Sequence, residues 1–298
     1  MTLEDVHHDT IQGSDLLVTG ANGNLGRLAV EELLARGATK VVAGTRDPAK
    51  LADLAGQGVE VRRVDFADAD LATAFAGVDR VLLISTVDPE RRAHQRAAVE
   101  AAKAAGVKHI VYTSAPNARP NADAGGIADH FWTEQAIAAS GLDFTLLRNH
   151  IYAEVALMGL DHALASGQMF NATNGGGRSY VTRADTARTA AGALLSAEGQ
   201  AVYDVTGPAP VTQVELAGLI SDLSGKPLAA IGLTAAELSE GLTAAGLPPF
   251  MVTMLTAFDT DAAAGFHAIV TDVVERFSGR KPETLAAFLA ANKAAFAA

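Results

Sequence analysis

Cysteine is absent from the 298 residues, which excludes disulfides and cysteine nucleophiles and fits a reducing compartment. A run of apolar residues long enough to cross a bilayer is missing as well. Met1 to Asp15 are polar and acidic, without the apolar stretch a secretory signal carries. The sequence therefore reads as soluble and cytoplasmic, with no membrane partner. Basic excess is lacking too: 23 Lys and Arg stand against 34 Asp and Glu, a formal net charge of -11. That field repels nucleic acid, yet it leaves room for a local basic site that takes one phosphate. Zinc-type ligand spacing, a nucleophile elbow and a Walker loop are all wanting, so no metal is expected. Core material is ample, at 49% hydrophobic against 19% charged.

What is there begins with Leu16-Leu17-Val18-Thr19-Gly20-Ala21-Asn22-Gly23-Asn24-Leu25-Gly26. It reads as a short apolar strand, a glycine-rich turn and the first turn of a helix. The spacing G-x-x-G-x-x-G is a variant of the dinucleotide-binding pattern, with one more residue between the first two glycines. Gly20 lets the chain turn sharply off the strand. Gly23 lets backbone N–H groups approach a pyrophosphate, and Gly26 lets the helix pack tightly on the sheet. The pyrophosphate sits at the positive end of the helix, where backbone donors are unpaired. Leu25, Leu28, Ala29, Leu33 and Leu34 mark that helix as an apolar stripe. Asn22, Asn24 and Leu25 complete the phosphate-side loop.

Strands and helices then alternate. Strands are expected at 41–44, 58–66, 80–85, 108–114, 144–147 and 202–205, and helices at 68–76, 89–105, 127–140, 151–166, 184–197 and 212–224. Asp47 and Thr212 read as N-caps, with Glu215 completing a capping box. A glycine-rich loop at 171–178 leads into a short strand at 178–182. From Lys226 the chain reads as alanine-rich helix, at 235–245, 249–258, 268–277 and 282–296. The pattern implies α/β architecture: a doubly wound parallel sheet with a small, mainly helical C-terminal lobe. Residues 1–14 form an arm, 15–150 the nucleotide-binding core, and 151–298 a substrate-side lobe with elements returning to the core sheet.

Which nucleotide binds turns on the end of the second strand. No acid stands there to take a ribose 2′-hydroxyl, whereas Arg46 offers paired hydrogen bonds to a 2′-phosphate. NADPH is therefore favoured over NADH. Asp65 and Phe66 end the third strand beside the adenine, though Asp65 serves equally well as a cap for the next helix. Ile84, Ser85 and Thr86 end the fourth strand along the pyrophosphate and nicotinamide ribose. Thr113 ends the fifth, since ligands collect at the strands' carboxyl ends. His130 and Glu134 share a helix face at one-turn spacing and form a candidate acid/base pair, with Glu134 raising the imidazole pKa. The same pair also reads as structural. Asn149 and Tyr152, after the sixth strand, are placed to contact a substrate.

One further absence shapes the chemistry. Short-chain dehydrogenases use a Tyr with a Lys four residues on; none of Tyr112, Tyr152, Tyr180 and Tyr203 has that Lys. Ser114 stands where the helper serine of that site is expected. The glycine loop, Ala105-Gly106-Val107-Lys108-His109-Ile110-Val111-Tyr112-Thr113-Ser114, His130-x-x-Thr133-Glu134, Leu146-Leu147-Arg148-Asn149-x-x-Tyr152 and Val181-Thr182-Arg183-Ala184-Asp185 together resemble the NmrA-like atypical short-chain dehydrogenase/reductase family. The likeness is greatest to its NADPH:quinone oxidoreductase and triphenylmethane reductase branches, and the motifs span nearly the whole chain in order. It implies a Rossmann core, a small C-terminal lobe and NADPH between them. It also implies hydride delivery without the Tyr-Lys pair, to an aromatic or quinone-like acceptor, with Asn149 and Tyr152 on the substrate side. The polar N-terminal arm and Gln135, where some relatives carry a basic residue, depart from the pattern. The alternatives are an NADP(H)-sensing regulator without turnover, or an acid/base enzyme using His130. Either a monomer or a homodimer is compatible with the sequence.

Overall fold

The computed structural model describes residues 13–120 and 126–296, so the expected N-terminal arm falls outside them except for its last two residues. A seven-stranded sheet runs through the centre. It contains β1 (Leu16–Val18), β2 (Val41–Thr45), β3 (Glu60–Arg63), β4 (Arg80–Leu83), β5 (His109–Ser114) and β6 (Asp143–Asn149). After β7 (Gln168–Asn171), which lies elsewhere, the chain returns to it as β8 (Gln200–Val205). The order is β3-β2-β1-β4-β5-β6-β8, with every pair parallel. β1, β2, β4 and β5 are buried along their whole length, as strands covered on both faces must be.

Alternate residues of each strand feed opposite layers. Leu16 and Val18 point to a core shared with α1 (Asn24–Ala35), α7 (Arg183–Ser196) and α11 (Val273–Ser278). Leu17 points to the other, with Tyr112 and with residues of α4 (Arg91–Ala104) and α5 (Ile127–Ser140). Arg80, in β4, is buried and donates to the carbonyls of Leu194 at 2.6 Å, Ala197 at 2.6 Å and Ala193 at 3.3 Å. It thereby supplies donors to the carbonyl end of α7, where a helix lacks them.

The minor helices of the core are one-turn pieces. Asp47 accepts from the Ala49 N–H as expected and opens a 3₁₀ turn that leads into α2 (Ala52–Ala55). The helix expected at 68–76 shrinks to α3 (Leu71–Ala74), and the strand expected at 58–66 to β3.

Beyond β6 the sequence reading needs correction. The helix expected at 151–166 is split by Gly159, whose φ of +68° helices do not hold. A 3₁₀ turn at Ala153–Leu157 precedes it and α6 (Leu160–Ser166) follows. The strand expected at 178–182 is reduced to single bridges, Arg178 with Val211 and Val181 with Tyr152. Capping boxes start both α8 (Gln213–Ser224), at Thr212 and Glu215, and α9 (Ala235–Ala244), at Thr234 and Glu237. Between them the chain is not all helical, because β9 (Ala229–Gly232) pairs in parallel with β7. Tertiary pairing overrides the low strand preference of alanine there.

α10 (Pro249–Ala263) runs longer than expected. The helix expected at 268–277 begins only at Val273, because Thr271 is held at the end of β8, its N–H donating to Thr206 Oγ1 at 2.9 Å and its hydroxyl to Asp204 O at 2.7 Å. Thr284 caps α12 (Leu285–Ala291), which is shorter than the expected 282–296 and passes into a 3₁₀ turn at Lys293–Phe296. α6, α8 and α12 share a third apolar core with Ile151 and Tyr180. Among the described residues no helix is long and apolar enough to cross a membrane.

Candidate functional site

The glycine turn sits at the carboxyl ends of β1 and β4. Thr19 stitches them: its hydroxyl donates to Leu82 O at 3.2 Å and accepts from the Ile84 N–H at 2.9 Å. Gly20 takes a φ of +62°, and a Cβ on Gly26 would stand 2.3 Å from Gly20 O and 2.9 Å from Ala21 Cα. Only glycine fits there. A Cβ on Gly23 would press within 3.2 Å of the same oxygen. The start of α1 has no side-chain cap and no acid in its first turn, and Asn22, Gly23 and Asn24 are exposed. Backbone donors and helix dipole thus face outward uncompensated, which fits a pyrophosphate.

At the β2 end Arg46 is exposed, while Asp47 is taken up by the turn that follows, accepting from Ala49 N and standing 3.7 Å from Lys50. Asp65 closes a local turn by accepting from Ala67 N at 3.2 Å and does not cap α3, whose N-cap is Asp70. Phe66 beside it is half-buried. Ser85 and Thr113 join the ends of β4 and β5: Ser85 N–H donates to Thr113 Oγ1 at 2.9 Å, and their hydroxyls lie 3.2 Å apart. The Thr86 N–H donates to Gln95 Oε1 at 3.3 Å.

From there a cleft of about 710 Å³ opens over the ends of β4, β5 and β6. Ser85, Thr113, His130, Asn149 and Tyr152, five of the residues singled out in the sequence, line it together. Arg46, Asp65 and Phe66 are not among its lining residues. Instead they follow β2 and β3, towards one edge of the sheet.

His130 and Glu134 do not form the expected acid/base pair. Arg91 Nη2 lies 2.7 Å from His130 Nε2, and a guanidinium can only donate. The ring proton is therefore on Nδ1, which donates to Tyr112 Oη at 2.9 Å; Tyr112 passes its own proton to Gln95 Oε1 at 3.2 Å. Burial, and then the positive Arg91, push the imidazole down to about 3, opposite to the rise that a carboxylate neighbour would cause. His130 is thus a neutral structural link. Glu134 turns instead to Ser114, whose hydroxyl donates at 2.6 Å, and to Arg148 in a two-point ion pair. The helper-serine position is occupied by that bond. His150, next to Asn149, also faces inward, with its side chain covered and Nε2 3.0 Å from Asp204.

Asn149 and Tyr152 remain as the polar groups open to chemistry. Asn149 Nδ2 lies 3.5 Å from Tyr152 Oη, and its Oδ1 is buried without a partner. Burial pushes the Tyr152 phenol up to about 12, so it keeps its proton at neutral pH and serves as a donor. The guanidinium of Arg183 lies over its ring, 5.1 Å from the centroid.

A family model described as NAD(P)H-binding matches residues 20–197. Quinone oxidoreductase 2 of Escherichia coli is 38% identical over 277 residues, 91% of this chain and 96% of that protein. The chain belongs to the NmrA-like NAD(P)H-binding family. A crystal structure of the E. coli NADPH-dependent quinone oxidoreductase complexed with NADPH superposes on it with a TM-score of 0.87 at 35% identity, covering 94% of this chain and 98% of that one. The Citrobacter sp. triphenylmethane reductase complexed with NADP(H) gives 0.83 at 30% identity, covering 92% and 99%. The doubly wound Rossmann-type core is therefore that of the family. The cleft has two features that the sequence reading missed. One is the Arg91–His130–Tyr112–Gln95 chain, which no local pattern announces. The other is α10, whose Phe250, Met254 and Phe258 line the cleft; their i, i+4, i+8 spacing was the available signal.

Proposed function

We propose that the chain is an NADPH-dependent reductase that passes hydride to a conjugated acceptor such as a quinone, working in the cytoplasm as a monomer or homodimer. The observation that carries this reading is the cleft itself, which brings the Asn149 amide and the Tyr152 phenol together with the apolar Phe250, Met254 and Phe258 over the strand ends. A mainly apolar cleft with a few convergent polar groups is the form of a small-molecule site.

Gly20, Gly23 and Gly26, with Asn22, Asn24 and Leu25, would hold the pyrophosphate of NADPH. Arg46 would take the 2′-phosphate, and Asp65 and Phe66 would flank the adenine. Ile84, Ser85, Thr86 and Thr113 would border the nicotinamide ribose. Bound NADPH supplies the hydride, and the acceptor takes it with one proton and leaves reduced while NADP⁺ forms. Tyr152 and Asn149 orient the acceptor and donate to the oxygen on which negative charge develops. Neither the neutral His130 nor the protonated Tyr152 is poised to cycle a proton near pH 7, so the proton comes from water. A quinone tolerates this, since its oxygens become basic only as it is reduced. The absence of a Tyr-x-x-x-Lys pair is then no obstacle.

The test is NADPH oxidation with a panel of quinones, run with NADPH deuterated on one or the other face of nicotinamide C4. Turnover slowed about twofold or more by one label alone is the expected result. NADPH binding with no turnover on any acceptor would replace this reading with a non-catalytic NADP(H)-sensing regulator.

A further inference from the structure

α10 brings Phe250, Met254 and Phe258 to the cleft from one face of the helix. The helix is pinned at the far end of that wall. Asp259 pairs with Arg178 and accepts from Ala172 N at 2.6 Å, and Asp261 takes Arg119 at 2.7 and 3.1 Å. A Cβ on Gly176 would stand 2.1 Å from Ala262 O, so the glycine-rich loop lies flush against the same end. The other end carries its apolar surface into the open: Phe250 is 63% exposed. Val87, which also lines the cleft, is 89% exposed. Aromatic surface held in a cleft and left uncovered is matched by a flat apolar ligand.

The charge within the cleft narrows that ligand further. Asp88 and Asp129 line it, and among the described residues Arg91 is its one lining Lys or Arg. The Arg91 side chain is only 11% exposed, with Nη2 on His130 and Nε 3.7 Å from Asp129. Its charge is turned inward and offset by Asp129, which leaves the balance of the cleft acidic. An anionic substituent entering there meets like charge. The Tyr152 phenol and the Asn149 amide line the same cleft and are matched by one polar atom on that ligand, of the kind a ring carbonyl or hydroxyl provides.

We propose that α10 selects the acceptor: the Phe250–Met254–Phe258 face takes flat acceptors of two or more rings, and Asp88 with Asp129 rejects those carrying a negative charge. The proposal rests on the reductase reading for its word acceptor, but it is a statement about binding and is tested as one.

The probes are redox-inert: phenol, 2-naphthol and 2-naphthol-6-sulfonate, titrated by calorimetry at pH 8 into the full-length protein saturated with NADP⁺. 2-Naphthol is expected to bind about tenfold tighter than phenol, from the extra ring buried. The sulfonate is expected to bind at least about threefold more weakly than 2-naphthol, as a partly screened charge repulsion gives. Phe250→Ala, at an exposed position, removes most of the preference for two rings. Asp88→Asn and Asp129→Asn each reduce the discrimination against the sulfonate. NADP⁺ affinity serves as the folding control for all three. Equal affinity for phenol and 2-naphthol overturns the wall, and a sulfonate bound as tightly as 2-naphthol overturns the charge filter. Both preferences present in a protein that reduces no quinone support this proposal and overturn the reductase reading alone.

Discussion

Arg148 grips Glu134 at two points, Nε to Oε1 at 2.9 Å and Nη2 to Oε2 at 2.7 Å, and so ties the end of β6 to the middle of α5 beneath the cleft. The carboxylate is 4% exposed and also accepts from Ser114. Glu134→Ala leaves the guanidinium without a partner and the serine without an acceptor, and is expected to cost about 2–4 kcal/mol of stability. Glu134→Leu combined with Arg148→Met should recover most of that loss. Denaturant unfolding of the single and double variants measures the coupling; losses that simply add would show that the pair is not a unit.

Gly23→Val places a branched side chain in the turn, where even a Cβ crowds Gly20 O. NADPH binding should be abolished while the circular dichroism of the fold is retained. Tight NADPH binding by the folded variant would remove the glycine turn from the site.

Arg46→Ala should weaken NADPH by ~1.5–3 kcal/mol, the scale of a charged hydrogen bond, and leave NADH almost unchanged. Dissociation constants for the two nucleotides decide it. Equal weakening of both would mean that Arg46 does not read the 2′-phosphate.

Tyr152→Phe and Asn149→Ala each delete one hydrogen bond to the developing oxyanion, which should slow turnover by roughly 10- to 1000-fold. His130→Ala should act less, because the imidazole is a neutral link to Arg91 and Tyr112. Steady-state kcat for the three variants gives the ranking. A His130 variant as damaged as the Tyr152 variant, and stripped of an imidazole step in its pH profile, would reinstate His130 as a proton donor.

His109, His130 and His267 are each pushed down to about 3, in every case first by burial and then by arginines nearby. Their unfolded values lie near 6.5, so between these limits the unfolded chain binds protons that the native one does not. Stability is therefore full above pH ~6.5 and falls as the pH drops towards 3, by about 1.4 kcal/mol per pH unit for each such histidine. Denaturant unfolding at pH 7 and pH 5 should show this steep loss, and His130→Asn should flatten it by about one proton. An unchanged slope would place the His130 proton uptake elsewhere.

The glycine turn was legible because its logic is local. Gly20, Gly23 and Gly26 act through backbone sterics that a neighbouring strand and helix already imply. The buried strands announced themselves as apolar runs for the same reason. Long-range partners carry no such mark. The one-turn spacing of His130 and Glu134 puts them on one helix face, but Arg91 and Arg148, from other elements, decide which way each side chain turns. β9 is invisible as Ala229-Ala230-Ile231-Gly232 because its strand character comes from β7. α10 was legible as a helix. That it faces the cleft depends on Arg178 and Arg119 fastening Asp259 and Asp261, ion pairs between segments far apart in the chain.

The three carbonyls that Arg80 serves belong to residues more than a hundred positions later in the chain. During synthesis the sheet's central strand therefore emerges with a guanidinium destined for the interior and nothing yet to bond it. Until Ala197 has left the ribosome, the face of the sheet shared by α1, α7 and α11 has only α1 to cover it. The half of the chain up to residue 150 is thus not a unit that matures first and waits for the rest: a nascent chain halted there should remain protease-sensitive and a client of chaperones. Completion of α7 is the step at which that half becomes a fold.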